Sequence, residues 1–291
     1  SKSWGSNRSI RIAVHAAAVK GFNAESASLY EKGRPEYPAA ALNHIISLIN
    51  STKSSSSCST SIVELGAGTG KFTECFTKRI SKNQNLGDFS IKATEPSEGF
   101  RATLQNKRLP NVSAVYGVGN QIPADSKSVD VVVAAQAFHW MATIPTLQEI
   151  HRVLKPTGLF IMIWNSYDYR HPWVSRIDNE ILSPAYGTHT PRQQSGRWRD
   201  CFLTAEGQKM FAGITDWFHD HTHHGNASVI VDRVLSTSVI AEQASEQREG
   251  VRAHVWRIIE EAEGLQQARR SNQFAMPYVT HVAWTRPLNN V

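Results

Sequence analysis

The sequence is poor in cysteine, and this scarcity excludes several classes of protein. Its 291 residues contain only Cys58, Cys75 and Cys201, and no two of these form a C-x-x-C pair. A disulfide-stabilised secreted domain or a structural zinc site needs more thiols at closer spacing. We therefore expect a cytoplasmic protein, in a reducing compartment, whose stability comes from a hydrophobic core.

Long apolar runs and clusters of basic residues are also missing. No stretch approaches the roughly 20 apolar residues that span a bilayer, and the lysines and arginines behind the net charge of +6 are scattered. The first 24 residues are basic and lack acids, as in the remainder of a targeting segment, but they have no apolar signal core. We expect a helix from about Ile10, no membrane partner and no nucleic-acid partner.

Apolar strands and amphipathic helices alternate through most of the chain. In the predicted helix "IPTLQEIHRVL", Ile144, Leu147, Ile150 and Leu154 share one face. Predicted strands are "SIVELG", "FSIKATE", "NVSAVYG", "VDVVVAAQ", "LFIMIWN", "TDWFHDHTHH" and "PYVTHVAWTRP". This alternation predicts an α/β fold with a doubly wound, seven-stranded, mostly parallel sheet.

Two segments interrupt the alternation. Residues 51–61 are rich in serine and predict a linker. Residues 167–213 are rich in Trp, Arg, Pro and His, and we interpret them as a helical lid inserted into the fold. The expected organisation is an N-terminal segment with a cap helix over 1–35 and one α/β domain over 36–291.

The stretch "VELGAGTGKF" follows the first strand of the sheet and carries Gly66, Gly68 and Gly70 at alternate positions. Such a loop lets the chain turn tightly and admit a ligand against its backbone. Glu95 ends the next strand, where a carboxylate can accept both ribose hydroxyls of a nucleoside. These features predict an adenosine-type ligand at the carboxyl ends of the strands.

Two ligands fit that description. A dinucleotide is typically bound by G-x-G-x-x-G, with its pyrophosphate at the helix N-terminus. Here the loop is one residue tighter, and Glu64 lies beside it. A carboxylate suits the positively charged S-adenosylmethionine better than a pyrophosphate, so we favour S-adenosylmethionine, with S-adenosylhomocysteine as its product.

The ordered motifs resemble those of the class I S-adenosylmethionine-dependent methyltransferases, and more narrowly the methyltransferase-11-type, small-molecule branch. "VELGAGTGKF" resembles the first motif, "ATEPSEGF" the second, "SVDVVVAAQAFHW" the fourth-strand motif and "EIHRVLKPTGLFIMIWN" the fifth-strand motif. "YEKGRPEYP", "DRVLSTSVIA" and "PYVTHVAWTRP" are similar to segments of that branch outside these motifs. The resemblance covers about residue 15 to the end and implies a Rossmann-like methyltransferase fold and methyl transfer.

The resemblance also implies roles for individual residues around the cofactor. Glu95 would hold the ribose, and Gln136, at the end of the fourth strand, would face the cofactor. The methionine part would contact Glu64, Gly66, Ala67 and Gly68. Adenine would lie near Gly119 and Asn120, although residues 117–123 lack the acid that the family usually has there.

Residues that follow the fourth and fifth strands are candidates for the acceptor site. His139 is either a base or substrate contact, or a residue that caps a turn, and Trp140 is either a pocket wall or a core residue. Trp164, Asn165, Tyr167 and Asp168 either border the pocket or form a polar turn. Tyr30, Arg34 and Tyr37 precede the sheet and either close over the methyl site or have structural roles.

Strand "TDWFHDHTHH" raises the question of a metal. His219, His221 and His223 point to one face of a strand, as three zinc or nickel ligands would. Asp220 and His224 face the other way, and no distant ligand pairs with them. A solvated strand face is the favoured interpretation, and we expect no metal.

The sequence therefore predicts a methyltransferase that acts on a small molecule, as a monomer or homodimer. Oxygen, including carboxylate oxygen, is the favoured acceptor atom, and nitrogen or carbon remains open. The alternatives are a cofactor-binding homologue without methylating activity and a nucleic-acid methyltransferase. The absence of a basic cluster and of an N-P-P-Y-like motif counts against the last of these.

Overall fold

The computed structural model describes residues 34–52, 59–82 and 87–289. The strands in these ranges are β1 Ser59–Leu65, β2 Asp88–Thr94, β3 Val112–Val115, β4 Val129–Ala135, β5 Leu154–Tyr167, β6 Thr215–Gly225 and β7 Phe274–Thr285. The α-helices are α1 Ala39–Asn50, α2 Lys71–Ser81, α3 Glu98–Asn106, α4 Ile144–Val153, α5 Pro172–Ile177, α6 Ser183–Tyr186, α7 Asp200–Leu203, α8 Ala205–Met210, α9 Ala227–Leu235, α10 Ser238–Ala241, α11 Ser245–Glu261 and α12 Gln266–Ser271. The helix predicted from Ile10 and most of the serine-rich linker lie outside the described residues.

All seven strands belong to one sheet with the order β3-β2-β1-β4-β5-β7-β6. Strands β1 to β5 pair in parallel, and β7 is antiparallel to both β5 and β6. This confirms the predicted seven-stranded, mostly parallel sheet. The strand order reverses between β1 and β4, so a crevice opens there beyond the carboxyl ends of the strands, which is where ligands bind in such sheets.

Helices cover both faces of the sheet because each presents one apolar stripe. On one face, α1 and α2 bury residues such as Ile45, Ile49 and Phe76 against β1, β4 and β5. On the other, α4 buries Leu147 and Ile150. Helix α4 ends one residue earlier than its apolar pattern suggests, since Leu154 already begins β5, but Leu154 still packs in the same cluster.

The segment predicted as a lid, 167–213, divides between two places. In its first part, α5 contacts α11 and α6 contacts α10, and both α10 and α11 belong to the connection between β6 and β7. Its second part returns to the sheet, where Trp198, Phe202 and Phe211 join the core beneath α4. The helical cap over the crevice is thus built from 172–186 together with 227–262, because these two distant segments bury each other's apolar residues.

Strands β5 and β7 extend past the sheet core and form the floor of this cap. Tyr167 pairs with Tyr278 across the two strands, and their rings stack with centroids 5.5 Å apart. Both residues are buried in the apolar cluster of the cap. Strands β5 and β7 therefore belong both to the sheet and to the base of the cap. Among the described residues, no helix is long and apolar enough to cross a membrane.

Candidate active site

The glycine loop links β1 to α2 in a conformation that glycine favours. Gly66, Gly68 and Gly70 have φ values of 66°, 58° and 84°, in the left-handed region that side chains rarely adopt. A Cβ on Gly70 would lie 2.2 Å from Leu104 Cδ1, whereas a Cβ on Gly68 would meet nothing within 4 Å. Gly70 therefore serves packing, and Gly68 faces open space that a ligand can enter.

Glu95 joins the end of β2 to the glycine loop. Its Oε2 accepts a hydrogen bond from the Gly68 backbone N–H at 2.9 Å, and its Oε1 accepts one from the Ser97 N–H at 2.8 Å. Burial raises the pKa of this carboxyl, while the two backbone donors lower it. Each oxygen keeps a second lone pair, which is what two ribose hydroxyls require.

Glu64 lies beneath the loop and is almost completely buried. Its Oε2 accepts a hydrogen bond from Thr73 Oγ1 at 2.7 Å. Burial raises the pKa of Glu64 to about 8, with a further contribution from the nearby Glu95. A carboxyl group held in this way is ready to lose its proton when a cation approaches, because the cation favours the charged form.

The turn after β3 lies where the resemblance places adenine. Val118 and Gln121 form an isolated antiparallel bridge, with Gly119 and Asn120 at its tip. A Cβ on Gly119 would lie 2.9 Å from Met141 Sδ and from Thr146 Oγ1, so the turn packs tightly against the chain after β4. Asn120 is exposed, and its side chain has space to reach a bound base.

Gln136 ends β4 in a left-handed conformation with φ of 56°. Its Nε2 donates to the Asn165 carbonyl at 2.7 Å, and its N–H donates to the Ile163 carbonyl at 2.8 Å. A residue other than glycine in this conformation is strained and is frequently found at functional sites. The next residue, Ala137, approaches the glycine loop so closely that a Cβ on Gly66 would lie 2.9 Å from its own Cβ.

These residues fit the cofactor that the resemblance implies. Gly68 leaves backbone open to a ligand, Glu95 has lone pairs for a ribose, and Glu64 is a buried carboxyl that a cationic methionine moiety would ionise. No basic side chain is hydrogen-bonded to Glu64 or Glu95 through its carboxylate among the described residues. The chemistry of these donors and acceptors suits an uncharged ribose and a positive charge better than a pyrophosphate.

A pocket opens beside this crevice, under the helical cap. Its cavity volume is about 70 Å³, and it opens to solvent. Its lining comes from the chain before α1, from the ends of β4 and β5, and from the cap: Arg34, Gln136, His139, Trp140, Asn165, Ser166, Tyr167, Tyr169, Leu182, Tyr186, Arg192, Gln193, Gln194, Arg233, Thr237 and Ser238. The structure thus brings together five of the sequence-predicted acceptor residues, Arg34, His139, Trp140, Asn165 and Tyr167.

His139 is held in one protonation state by its neighbour. The indole N–H of Trp164 donates to His139 Nδ1 at 3.2 Å. Burial, and then the positive charge of Arg34, lower the pKa of His139 to about 3. The imidazole is therefore neutral, and because Nδ1 accepts, its proton lies on Nε2. This geometry favours His139 as a hydrogen-bond donor to a substrate over the base role that the sequence left open.

Arg34 reaches the pocket because its segment is fastened to the end of the sheet. Lys71 Nζ donates to the Arg34 carbonyl, and Asn165 Nδ2 donates to the Glu36 carbonyl at 3.3 Å. Asn165 Oδ1 accepts from Thr280 Oγ1 at 2.6 Å, so the amide of Asn165 is fully engaged. Asn165 therefore mainly joins the segment that carries Arg34 to β5 and β7, although Asn165 also lines the pocket.

Three predicted acceptor residues lie elsewhere. Tyr37 packs edge-on against Phe72, in the core under α1 and α2. Trp164 has no exposed surface and contacts the pocket only through His139. Asp168 faces an outer groove, where it pairs with Arg170 at 2.7 Å. Direct acceptor contact does not fit these positions, because Tyr37 and Trp164 are buried in the core and Asp168 faces the outer groove. Tyr30 lies outside the described residues.

Sequence reasoning missed the part of the pocket that the cap supplies. Arg192 and Gln193 come from the inserted segment, and Arg233 and Thr237 come from α9 and the turn that follows it. Arg233 is 97 residues from Gln136 in sequence, and only the packing of α9 on α11, which in turn contacts α5, brings it to the pocket. The signal available in the sequence was an arginine within the otherwise apolar stripe of "VIVDRVL".

The histidines of β6 do not form a solvated face. His219, His221 and His223 are half-buried, with His219 stacked on Trp217 at a centroid distance of 5.6 Å and His221 stacked on Tyr278 at 5.5 Å. Burial, and then the neighbouring histidines, lower the pKa of His221 to about 4. The expected solvated face was wrong for this side of the strand. Within residues 34–52, 59–82 and 87–289, no three His, Cys, Asp or Glu side chains are placed to hold a metal.

Comparison with known families agrees with this geometry. Residues 63–162, from β1 into β5, match a family model described as a methyltransferase domain. A methyltransferase-like protein of Schizosaccharomyces pombe is 36% identical over 175 residues, which are 60% of this chain and 62% of that protein. The matched part of this chain thus spans less than two thirds of that relative.

Longer matches extend beyond the sheet. A methyltransferase of Mycobacterium tuberculosis is 28% identical over 251 residues, covering 86% of this chain and 89% of that protein. A solved structure described as a type II methyltransferase from Anaeromyxobacter dehalogenans superposes with a TM-score of 0.60 at 17% identity, covering 87% of this chain and 96% of that one. At that identity the likeness concerns the fold alone.

Proposed function

Because this chain is a class I S-adenosylmethionine-dependent methyltransferase of the methyltransferase-11 type, we propose that it methylates an oxygen of a small molecule bound in the pocket under the helical cap. The family implies S-adenosylmethionine as cofactor. The acceptor and the position of the cofactor are our proposals. A protein that only binds the cofactor, or that methylates nucleic acid, is the alternative.

One observation carries the proposal: the glycine loop and the pocket share the turn after β4. Gln136 and His139 line the pocket, and Ala137 between them touches Gly66. A cofactor on the glycine loop would therefore present its reactive end to the pocket. The cap of helices above it leaves room for a small acceptor, whereas a nucleic-acid strand would need an open, basic groove.

The pocket offers no obvious general base. Among the described residues that line it, none is an Asp or Glu. His139 Nδ1 is occupied by the Trp164 indole, so Nε2 carries the proton. Burial raises the pKa values of Tyr167 and Tyr169, so both phenols keep their protons. A hydroxyl acceptor needs a base, whereas a carboxylate is already ionised, and we therefore propose a carboxylate oxygen as the acceptor atom.

The residues act by placing the acceptor and excluding water. When bound, S-adenosylmethionine supplies a methyl group that the carboxylate oxygen takes while the methyl carbon–sulfur bond breaks, leaving a methyl ester and S-adenosylhomocysteine. His139 Nε2 donates a hydrogen bond that fixes the acceptor, and the strained Gln136 fixes the turn that carries His139. Holding the reacting groups in line is the main contribution that a protein makes to such a displacement.

The proposal is tested first by calorimetric titration with S-adenosylmethionine, S-adenosylhomocysteine and NAD. We expect the wild type to bind the first two at micromolar concentration. Glu95→Ala should weaken both by about 100-fold or more, because it removes the ribose acceptor and one partner of the Gly68 N–H. Asp130→Ala is the matched control: Asp130 also accepts a backbone hydrogen bond, from Ser61, but near the amino ends of β1 and β4, at the opposite edge of the sheet from the crevice.

A screen of carboxylic acids for methyl esters then tests the acceptor. Ester formation that requires the protein and S-adenosylmethionine supports the proposal. Preference for NAD would contradict the cofactor assignment. Cofactor binding combined with methylation only of hydroxyls or amines would retain the enzyme class and reject the carboxylate.

A further inference from the structure

Arg233 is a buried cation that lines the pocket without a carboxylate partner. Only 7% of the residue is exposed. Its Nη1 lies 3.3 Å from Thr237 Oγ1, and its Nε has no hydrogen-bond partner. Its guanidinium carbon lies 4.7 Å from the centroid of the Tyr167 ring. No ion pair to Arg233 occurs in the described part of the chain. A buried charge is normally paired, so this arrangement calls for an anion.

The neighbouring arginine shows the difference. Arg192, from the inserted segment, also lines the pocket, but its Nη2 pairs with Asp178 at 2.5 Å and its Nη1 donates to Ser183. The charge of Arg192 is therefore balanced within the protein. Arg233 has only aromatic rings and a hydroxyl around its charged group, and a cation–π contact offsets a small part of the cost of burying it.

Other unsatisfied groups near Arg233 are hydrogen-bond donors. The hydroxyls of Tyr167 and Tyr278 are buried and have no hydrogen-bond partner. Both rings stack on each other beside the guanidinium. Of these groups, Arg233 and Tyr167 line the pocket. A ligand group that accepted hydrogen bonds from both would carry negative charge and at least two acceptor oxygens, because guanidinium and phenol groups can both donate.

This donor set lies apart from His139. Trp164 holds His139, and Tyr167 packs against Arg233. Tyr167 lies three residues after Trp164 in β5. A strand rises about 3.3 Å per residue, which separates the two contacts by roughly 10 Å along the strand. His139 and Arg233 therefore contact β5 at different levels along the strand.

We infer that Arg233, with the hydroxyl of Tyr167, anchors a second carboxylate of the acceptor, one that is not methylated. The acceptor is then a dicarboxylic acid whose reacting carboxylate lies near His139 and whose other carboxylate lies under α9. This inference rests on the proposed function and specifies its substrate class.

The shape of the Arg233 guanidinium favours a carboxylate at the anchor. The planar edge of a guanidinium matches the two oxygens of a carboxylate, which can accept two parallel hydrogen bonds from it.

Calorimetry on protein saturated with S-adenosylhomocysteine tests the inference. The probes are succinate, adipate, suberate, isophthalate and terephthalate, each beside its monomethyl ester. We expect the wild type to bind at least one diacid about 10- to 100-fold more tightly than its monoester, since a charged hydrogen-bonded contact is lost in the ester. Arg233→Gln should abolish this preference, and Arg233→Lys should restore part of it.

Arg197→Gln is the matched control, because it removes the same charge from an exposed arginine of the inserted segment. Circular dichroism melting verifies that each variant is folded. If Arg233→Gln does not fold, the affinities of the wild type for each diacid and its monoester decide whether a second carboxylate is bound.

Three results would overturn the inference: no diacid binds, the monoesters bind as tightly as the diacids, or folded Arg233→Gln keeps the preference. Unchanged binding of S-adenosylhomocysteine in these cases leaves the proposed function intact. Failure of the wild type to bind S-adenosylhomocysteine would instead reject the proposed function itself.

Discussion

The crevice at the glycine loop and the pocket under the helical cap, proposed here for cofactor and acceptor, are built on different principles. The crevice uses backbone groups and short motifs: three glycines in left-handed conformations, and Glu95, whose carboxylate is fixed by two backbone N–H groups. The pocket uses long side chains such as Arg34, Tyr167 and Arg233, which come from segments far apart in sequence. A backbone site is specified locally, whereas a side-chain site depends on how the cap packs.

This difference indicates which half of the molecule tolerates amino-acid substitutions without loss of the fold. A substitution in the glycine loop changes the fold of the loop itself. A substitution in the cap changes a side chain on an existing helix and leaves the sheet intact, in agreement with the rule that one fold supports many functions. The following predictions compare the two halves, beginning with the largest effect.

Gly70→Ala should be the most damaging change. A Cβ there adopts a φ of 84° and lies 2.2 Å from Leu104 Cδ1, inside a buried cluster. We expect a loss of about 2–4 kcal/mol in the free energy of unfolding, from the left-handed conformation and the overpacking together. Urea denaturation measures it.

Gly264→Ala separates the two contributions. Gly264 has a φ of 87°, but a Cβ there would meet nothing within 4 Å. We expect the backbone cost alone, about 1 kcal/mol. Equal losses for the two variants would mean that contact with Leu104 contributes nothing and that the loop is less tightly packed than the structure indicates.

His139→Ala should lower kcat by about 10- to 100-fold and leave the affinity for S-adenosylmethionine unchanged, because it removes a donor to the acceptor and not a cofactor contact. The wild-type kcat should show no inflection from His139 between pH 5 and 8, since its pKa is about 3. His151→Ala is the control, because His151 bonds the Leu288 carbonyl outside the pocket.

The same depressed pKa affects stability. The unfolded chain binds a proton at His139 below its ordinary pKa of 6.5, and the folded chain does not until about pH 3. The stability that neutral His139 contributes is therefore lost as the pH falls from about 6.5 to about 3.

The prediction for kcat has a clear contrary outcome. An inflection in kcat near pH 6.5 that disappeared in His139→Ala would restore the role of His139 as a base.

The smallest effect should be proton linkage at Glu64. Its folded-state pKa of about 8 lies above the reference of 4.5, so this group's contribution to stability decreases as the pH rises from about 4.5 to about 8. Cationic S-adenosylmethionine favours the ionised form. We expect its affinity to increase by about tenfold between about pH 6 and 8, since binding releases a proton.

Calorimetry in buffers of different ionisation enthalpy counts the released proton. Glu64→Gln should bind S-adenosylmethionine more weakly and without this pH dependence. A wild-type affinity that stays constant with pH would show that Glu64 does not ionise when the cofactor binds. The ammonium group of the cofactor would then contact another residue.

The features that the sequence predicts correctly follow the same division between the crevice and the pocket. The sheet, the glycine loop and Glu95 were predictable, because buried strands read as continuous apolar runs and the loop needs residues that tolerate a positive φ. The positions of Trp164 and Asp168 were not, because the packing around the end of β5 buries Trp164 in the core and turns Asp168 to an outer groove. The half-buried histidines of β6 were missed because aromatic stacking across strands leaves no periodic signal.

The sequence by itself determined the order of strands and helices, the conformation of the glycine loop and the family of the protein, since each depends on residues close together in the chain. Only the tertiary structure decided which side chains face the acceptor. Arg233 is an ordinary arginine in an amphipathic helix until α9 packs beside α5 and places its charge under the cap, next to Tyr167 and without an acid. The chemistry of the pocket depends on that juxtaposition, because the environment of a charge, and not its identity, decides what it will bind.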